Sequence, residues 1–286
     1  MTFALPPGAC DTHAHVIAAS GYPLDPQRLY EPAPAPESEY IAMLDRFGFT
    51  YGVLVQVSAY GTDNRYMVDV LKRHPDRLRG IVVVDPDVNA ACLAELHDAG
   101  VRGVRINALF GGSGRLASLP LLGPRVARFG WHIQIYADSG TLQRNFDTLS
   151  MLPCPLVLDH IGHSQARSGV DSAGFRTVLR LAAMEHVWIK LSGANRIGTP
   201  PHFDDTVALA RALVDVSAER LLWGSDWPHV ACDPVRTEDL LGLLPRWVPD
   251  DAVRERILVA NPARLYGFSQ IEPVARSTLE WQSKLA

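Results

Sequence analysis

Short runs of β-branched and aliphatic residues recur along this chain, and each is followed by a segment with a helical pattern. The runs begin about every 25 to 40 residues, a spacing typical of parallel strands joined by crossover helices. Some, such as 81–84 and 156–158, are apolar throughout, as expected for strands covered on both faces. Eight runs fit this description: 8–16, 51–58, 78–84, 101–107, 132–137, 156–160, 187–192 and 220–225. The pattern predicts an α/β fold, a (β/α)8 TIM barrel.

The length of the chain suits a single barrel domain. It has 286 residues, and barrels of this type commonly occupy about 250 residues as one unit. We therefore expect one domain over residues 1–286. The Pro-rich stretch 23–36 falls between the first strand and the first helix, so we interpret it as a long loop over the barrel mouth. Residues 270–286 are expected to form a last helix or a loosely held tail.

The composition limits the partners and the location. The chain is 47% hydrophobic and 20% charged with a formal net charge of −4, so nucleic acid is not an expected partner. A basic-then-apolar leader and a run of about 18 apolar residues are both missing, so we expect neither export nor membrane insertion, and a cytoplasmic location. Four scattered cysteines without a CxxC pair are expected to be reduced thiols: Cys10, Cys92, Cys154 and Cys232.

Histidines gather where predicted strands end, which is the rim at which barrel enzymes place their active sites. His13 and His15 are two residues apart, so in a strand both imidazoles point to one side and can reach one ligand or metal. The alternative is two polar residues in a loop. His160 ends an apolar strand, where histidine is unusual in a core, and is expected to act as a ligand or in acid–base chemistry. Asp159 is a candidate to orient a histidine.

Asp226 directly follows the last apolar run and stands between Trp223 and Trp227. Such neighbours are expected to desolvate the carboxylate and raise its pKa, which suits a general base. The alternative is a helix N-cap, against which Trp227 and Pro228 argue. Asp226 is therefore the first catalytic candidate.

Arginines at the same rim point to an anionic substrate. Arg105 ends the fourth strand and Arg196 follows the seventh, and a guanidinium binds a carboxylate through two parallel hydrogen bonds. Surface salt bridges are the alternative. Tyr136, at the end of the fifth strand, can donate a hydrogen bond to the same substrate.

With these residues assembled, the chain from His13 to Tyr266 resembles the 2-pyrone-4,6-dicarboxylate lactonase group of the amidohydrolase superfamily. The most specific matches are 10–16, 96–105, 159–160 and 223–229, and 61–69 resembles the segment after that group's second strand. His229, in the last of these motifs, is also expected to contact substrate.

The resemblance implies roles for the candidates. Asp226 would activate water, and the three histidines His13, His15 and His160 would surround the scissile carbonyl and stabilise its oxyanion. The substrate carboxylates would be held by Arg105, Arg196 and Tyr136, with Arg115 as a further arginine in a longer loop. The chain departs from the group at 230–232, where Val-Ala-Cys stands in place of a polar asparagine. This departure leaves the identity of the substrate open.

The same comparison bears on metal. Metal-dependent amidohydrolases take a lysine or glutamate from the fourth strand and a histidine from the fifth, where this chain has Arg105 and Tyr136. A guanidinium beside a divalent cation is electrostatically unfavourable, so a binuclear centre is not expected. We expect no cofactor. The alternative is one Zn²⁺ held by His13, His15, His160 and Asp226.

The predicted function is hydrolysis of a small anionic lactone, 2-pyrone-4,6-dicarboxylate or an analogue, by general-base-activated water in the breakdown of aromatic compounds. One alternative is a zinc-dependent lactonase for a sugar-acid lactone or sulfomuconolactone. Others are a decarboxylase of the same superfamily and a binding protein that has lost catalysis. The sequence leaves open whether the chain forms a homo-oligomer.

Overall fold

The structure is a computed structural model that describes residues 4–109 and 113–269, and for 113–115 the backbone alone. The stretch 270–286, expected to be a last helix or a tail, lies outside the described residues.

Eight parallel strands form one sheet in which each strand pairs with the next in sequence. The strands are β1 (Cys10–Ala14), β2 (Tyr51–Val55), β3 (Leu78–Val82), β4 (Val101–Asn107), β5 (His132–Tyr136), β6 (Leu156–Leu158), β7 (Val187–Leu191) and β8 (Leu221–Trp223). Each lies inside one of the eight apolar runs. The predicted single-domain (β/α)8 barrel is therefore confirmed.

At least one helix separates every two successive strands. The α-helices are α1 (Glu37–Phe47), α2 (Arg65–Arg73), α3 (Ala90–Asp98), α4 (Leu119–Ala127), α5 (Ser139–Arg144), α6 (Phe146–Ser150), α7 (Ala173–Ala182), α8 (Ala194–Ile197), α9 (Thr206–Ser217), α10 (Thr237–Trp247), α11 (Asp251–Glu255) and α12 (Asn261–Tyr266). Their amphipathic spacing sets how they pack. Helix α2, for example, buries Tyr66, Met67, Val70 and Leu71, which are three or four residues apart, and leaves Lys72 exposed.

The lower part of the barrel interior is apolar. Side chains from alternate positions of the strands, among them Val53, Ile81 and Leu222, form one buried cluster with Tyr266 and Phe268. The Phe268 ring stacks on Tyr51 at the start of β2, with 4.4 Å between ring centroids. The segment around α12 therefore closes the end of the barrel at which the strands begin.

The barrel closes between β1 and the residues that follow β8. The backbone N–H of Asp226 donates to the carbonyl of His13 at 2.8 Å, and that of His15 donates to the carbonyl of Trp227 at 2.8 Å. The hydroxyl of Thr12 adds a bond to the carbonyl of Trp223, also at 2.8 Å. These bonds form a seam that joins the first strand to the last.

Within the described residues, no helix combines the length and the apolar character needed to cross a lipid bilayer. The four cysteines carry free thiols, in agreement with the prediction from their spacing.

We predict that Gly224→Ala destabilises the protein because no side chain fits at the seam. A Cβ atom at position 224 would lie 2.6 Å from His13 Cβ and 2.9 Å from the backbone nitrogen of His13. Relief requires moving β1 away from β8, and overpacking of this kind costs about 1–3 kcal/mol. The free energy of unfolding in urea measures the effect.

Gly242→Ala is the matched control, since a Cβ atom there would meet nothing within 4 Å. Alanine in the middle of α10 should leave the free energy of unfolding unchanged or raise it by about 0.5–1 kcal/mol. Equal stability of the two variants would contradict the tight approach at the seam.

Candidate active site

Four buried side chains meet at the carboxyl-terminal ends of β1, β6 and β8. Asp226 Oδ1 lies 3.7 Å from His13 Nε2, 3.6 Å from His15 Nε2 and 3.8 Å from His160 Nε2. All four residues are at most 3% exposed. The structure thus brings the four predicted catalytic candidates together around one point. The separations are too long for direct hydrogen bonds and leave room for an atom between them.

The backbone turns sharply where two of these residues leave their strands. Asp226 has φ +61 and His160 has φ +52, in the left-handed region that residues with a side chain seldom adopt. His229 and Ala231, on the loop after β8, share this conformation. Such strained backbone clusters at functional sites, where the surrounding structure maintains it.

The neighbours of Nδ1 define the protonated nitrogen of His15 and favour one for His13. His15 Nδ1 lies 2.7 Å from the carbonyl oxygen of Val55, which can only accept, so Nδ1 carries the proton. His13 Nδ1 faces Asp159 Oδ1 at 3.2 Å and Lys190 Nζ at 3.4 Å, and the closer group, an ionised carboxylate that only accepts, favours a proton on Nδ1. Burial lowers the pKa of both imidazoles, that of His13 to about 3, so both are neutral at pH 7. Each therefore presents an Nε2 lone pair toward Asp226.

Asp226 is paired with an arginine. Arg196 Nε donates to Asp226 Oδ2 at 2.6 Å, and the guanidinium also donates to the carbonyl of Val230. Burial by itself raises the pKa of Asp226, but the Arg196 guanidinium and the three imidazoles together outweigh burial and hold the pKa well below the usual range. The prediction of a raised pKa is therefore wrong, because it considered the flanking tryptophans and not a cation from another loop. Asp226 is ionised at neutral pH, and Oδ1 remains available as an acceptor.

A cavity opens beside these atoms, and three of the five predicted substrate contacts line it: Arg105, Arg196 and Tyr136. Arg105 is anchored from below, since it donates to the carbonyl of Gln56 at 3.0 Å and lies 3.8 Å from Asp159 Oδ2. Burial raises the pKa of Tyr136 to about 12, which keeps its hydroxyl protonated and able to donate.

The other two predicted contacts differ. His229 is not among the residues that line this cavity, and its Nε2 lies 3.2 Å from the hydroxyl of Thr237. His229 therefore stays a predicted substrate contact, one that the lining of this cavity does not include. The side chain of Arg115 lies outside the described residues.

Two residues that lie near the site were not predicted from the sequence. Tyr30, from the Pro-rich stretch 23–36, lines the cavity and makes a hydrogen bond with Ser58 at 2.9 Å. Lys190 lies fully buried in β7 and donates to the carbonyl of Thr12 at 2.7 Å and to Gln134 Oε1 at 2.8 Å. A single lysine inside the apolar strand Val-Trp-Ile-Lys-Leu was the available signal.

Lys190 and Asp159 form a buried charge pair below the histidines. Lys190 Nζ lies 3.8 Å from Asp159 Oδ1, the same oxygen that faces His13. Burial lowers the pKa of Lys190 to about 8. Burial alone would raise the pKa of Asp159, but the neighbouring His13 and Lys190 outweigh burial and lower it. Asp159 is thus in a position to orient the imidazole of His13, as expected from the sequence.

The donor atoms at the centre fit a metal ion as well as a water molecule. His13 Nε2 and Asp226 Oδ1 are buried and have no hydrogen-bond partner among the described residues. His13, His15 and Asp226 offer ligand atoms within 4.8 Å of one another, and imidazole nitrogens with one carboxylate oxygen suit tetrahedral zinc. A water molecule at the same point would donate its two protons to two of these acceptors.

We predict that Lys190→Met destabilises the protein by about 3–5 kcal/mol, because it removes one of the two cations near the buried carboxylate of Asp159 and leaves the Thr12 carbonyl and Gln134 Oε1 without their donor. Unfolding in urea monitored by circular dichroism measures the change. Lys72→Met, at an exposed position of α2, is the control and should stay within about 0.5 kcal/mol of the parent protein. A Lys190→Met protein as stable as the control would show that this pair does not support the fold.

Comparison with known proteins places the chain in a family. It is 38% identical to 4-sulfomuconolactone hydrolase of Rhizobium radiobacter, over 93% of this chain and 92% of that protein. It is 35% identical to 2-pyrone-4,6-dicarboxylate hydrolase of Comamonas testosteroni, over 92% of each chain.

Among solved structures, one of a probable 2-pyrone-4,6-dicarboxylic acid hydrolase from Acinetobacter baumannii, with citric acid bound, superposes with a TM-score of 0.81 at 30% identity. That match covers 91% of this chain and 100% of the other. The family model described as amidohydrolase matches residues 10–268. This protein belongs to the amidohydrolase family.

Proposed function

We propose that this protein hydrolyses a small anionic lactone, 2-pyrone-4,6-dicarboxylate or an analogue such as sulfomuconolactone, in the breakdown of aromatic compounds. One observation carries the proposal. An ionised, buried Asp226 has its free oxygen 3.6–3.8 Å from three imidazole nitrogens, beside a cavity that Arg105 and Arg196 line. A general base thus adjoins a pocket with fixed positive charge.

The reaction needs one water and one proton acceptor. A water near Asp226 Oδ1 gives up a proton to that oxygen as its own oxygen bonds to the lactone carbonyl carbon. A hydrogen-bond donor beside the carbonyl stabilises the negative charge that develops on its oxygen. When the tetrahedral intermediate collapses, the ring C–O bond breaks and the proton passes from Asp226 to the departing oxygen. The new carboxyl group and the departing oxygen remain parts of one open-chain acid.

The cavity lining supports an anionic ring substrate. Arg105 and Arg196 offer guanidinium groups, and the Tyr136 hydroxyl is a donor, so carboxylate or sulfonate oxygens find partners there. Val57 and Val230 line the cavity as well and give an apolar surface for a flat ring. The relatives named above act, by their names, on lactones that carry sulfonate or carboxylate groups.

We propose that the hydrolysis proceeds without a metal cofactor. Arg196 already binds Asp226 Oδ2, and Arg105 lines the same cavity, so a divalent cation would add to positive charge at close range. The alternative is one Zn²⁺ held by His13, His15, His160 and Asp226. Bound there, zinc would lower the pKa of a coordinated water and polarise the lactone carbonyl.

Asp226→Asn should abolish turnover while leaving substrate binding largely intact. An amide oxygen can still accept from Arg196 but cannot take the water proton, so we expect kcat to fall by at least about 10²–10⁴-fold. Ring opening followed by ultraviolet absorbance, together with calorimetric binding of the lactone, measures both effects.

Asp204→Asn is the control, because that carboxylate pairs with Arg246 at the surface and should not affect kcat. A near-native kcat for Asp226→Asn would refute the assignment of the base. If the unmodified protein binds the lactone and leaves it intact for hours, it is a binding protein, and release of carbon dioxide would instead identify a decarboxylase.

Removal of metal tests the cofactor proposal separately. We expect purified protein to contain less than stoichiometric zinc by elemental analysis and to keep its kcat after chelator treatment and desalting. The opposite result, one zinc per chain with activity lost on chelation and restored by Zn²⁺, would establish the zinc-dependent alternative while leaving the lactonase assignment intact.

A further inference from the structure

His160 differs from the other two histidines in the group that its Nδ1 faces. His160 Nδ1 lies 2.9 Å from Ser192 Oγ, a hydroxyl that can either donate or accept. Ser192 is 2% exposed and follows the last residue of β7. In contrast, the nearest polar groups to Nδ1 of His13 and of His15 are a carboxylate and a carbonyl, which only accept. The position of the proton on His160 is therefore not set by the acceptor rule that fixes the other two.

The centre of the site needs a hydrogen-bond donor. His13 Nε2 and His15 Nε2 present lone pairs, and Asp226 Oδ1 is a carboxylate oxygen, so these three atoms all accept. A catalytic water can donate its protons to two of these acceptors, so the water itself needs no hydrogen bond from His160. A developing oxyanion, however, requires a hydrogen-bond donor nearby. Of the three imidazoles, His160 can carry its proton on Nε2 without giving up an Nδ1–H that faces an acceptor, as His13 and His15 would have to do.

The surroundings hold the His160 ring in place for this task. A Cβ atom at Gly193 would lie 2.6 Å from His160 Nδ1, so the absence of a side chain there lets the ring approach β7. The Tyr136 ring meets the imidazole edge-on, with centroids 5.0 Å apart and an interplanar angle of 89°. Ser192 Oγ is therefore the polar atom that Nδ1 of this fixed ring meets.

We infer that Ser192 is a positioning residue: its hydroxyl donates to His160 Nδ1, keeps the imidazole proton on Nε2, and so makes His160 the donor to the lactone carbonyl oxygen. The water then donates one proton to Asp226 Oδ1 and the other to Nε2 of His13 or His15. No proton leaves His160 in this step, since its N–H stabilises the oxyanion through a hydrogen bond only. The inference rests on the proposed lactone hydrolysis.

Ser192→Ala is the direct test. Without the hydroxyl, His160 Nδ1 has no donor and its proton is free to occupy either nitrogen. We expect kcat to fall by about 100-fold, the effect of losing one oxyanion donor, with KM changed by less than about threefold. Ser192→Thr keeps a hydroxyl and should recover most of kcat. Ser217→Ala is the control, since Ser217 is a buried serine whose Oγ has no hydrogen-bond partner among the described residues.

Nitrogen-15 NMR of histidine-labelled protein reads the tautomer directly, with the His160 signals identified from their loss in His160→Gln. We expect Nε2–H for His160 in the parent protein and in Ser192→Thr, and a shift toward Nδ1–H in Ser192→Ala. Urea unfolding of each variant shows whether it is folded.

Two outcomes overturn the inference: a Ser192→Ala protein that keeps its kcat, or a parent protein with the His160 proton on Nδ1. A parent protein that opens no lactone would instead refute the proposed function, and the tautomer would still report on Ser192.

Discussion

The carboxylate of Asp11 holds the two ends of the barrel wall together, and the site depends on it. Asp11 Oδ1 accepts from the backbone nitrogen of His13 at 3.2 Å and from that of Ser225 at 2.8 Å, while Oδ2 accepts from the Ser225 hydroxyl at 2.6 Å. Burial raises the pKa of Asp11 to about 6, although these hydrogen bonds to its carboxylate act to lower the pKa. Because Asp226 follows Ser225 directly, one carboxylate sets the spacing between an imidazole on the first strand and the carboxylate after the last.

Buried charges in the upper barrel come with partners. Lys190 lies near Asp159, and Arg196 binds Asp226, so neither carboxylate is left in the low-dielectric interior without a cation. The histidines between them have lowered pKa values chiefly because of burial, and they stay neutral. Neutral imidazoles matter here, since their chemistry is then decided by which nitrogen carries the proton rather than by protonation from solvent.

The fold and the four central candidates could be predicted because both follow from local sequence. An apolar run forms a strand, and a polar residue at its end faces the rim of a parallel barrel, which places His13, His15, His160 and Asp226 correctly. The pairing of Arg196 with Asp226 could not be predicted, since it depends on how two loops thirty residues apart fold toward each other. The direction of the pKa shift of Asp226 was wrong for the same reason. Lys190 was detectable as a lysine inside an apolar strand, but its partners belong to other strands.

The seam between β1 and β8 also governs the order of events as the chain is synthesised. The three central histidines are synthesised before Asp226, because they belong to the first six strand–helix units and the carboxylate follows the eighth strand. Until that strand pairs with β1, the nascent polypeptide has these imidazoles without the carboxylate beside them. Closure of the barrel and assembly of the site are therefore one event, and a chain stalled in translation before β8 lacks the carboxylate.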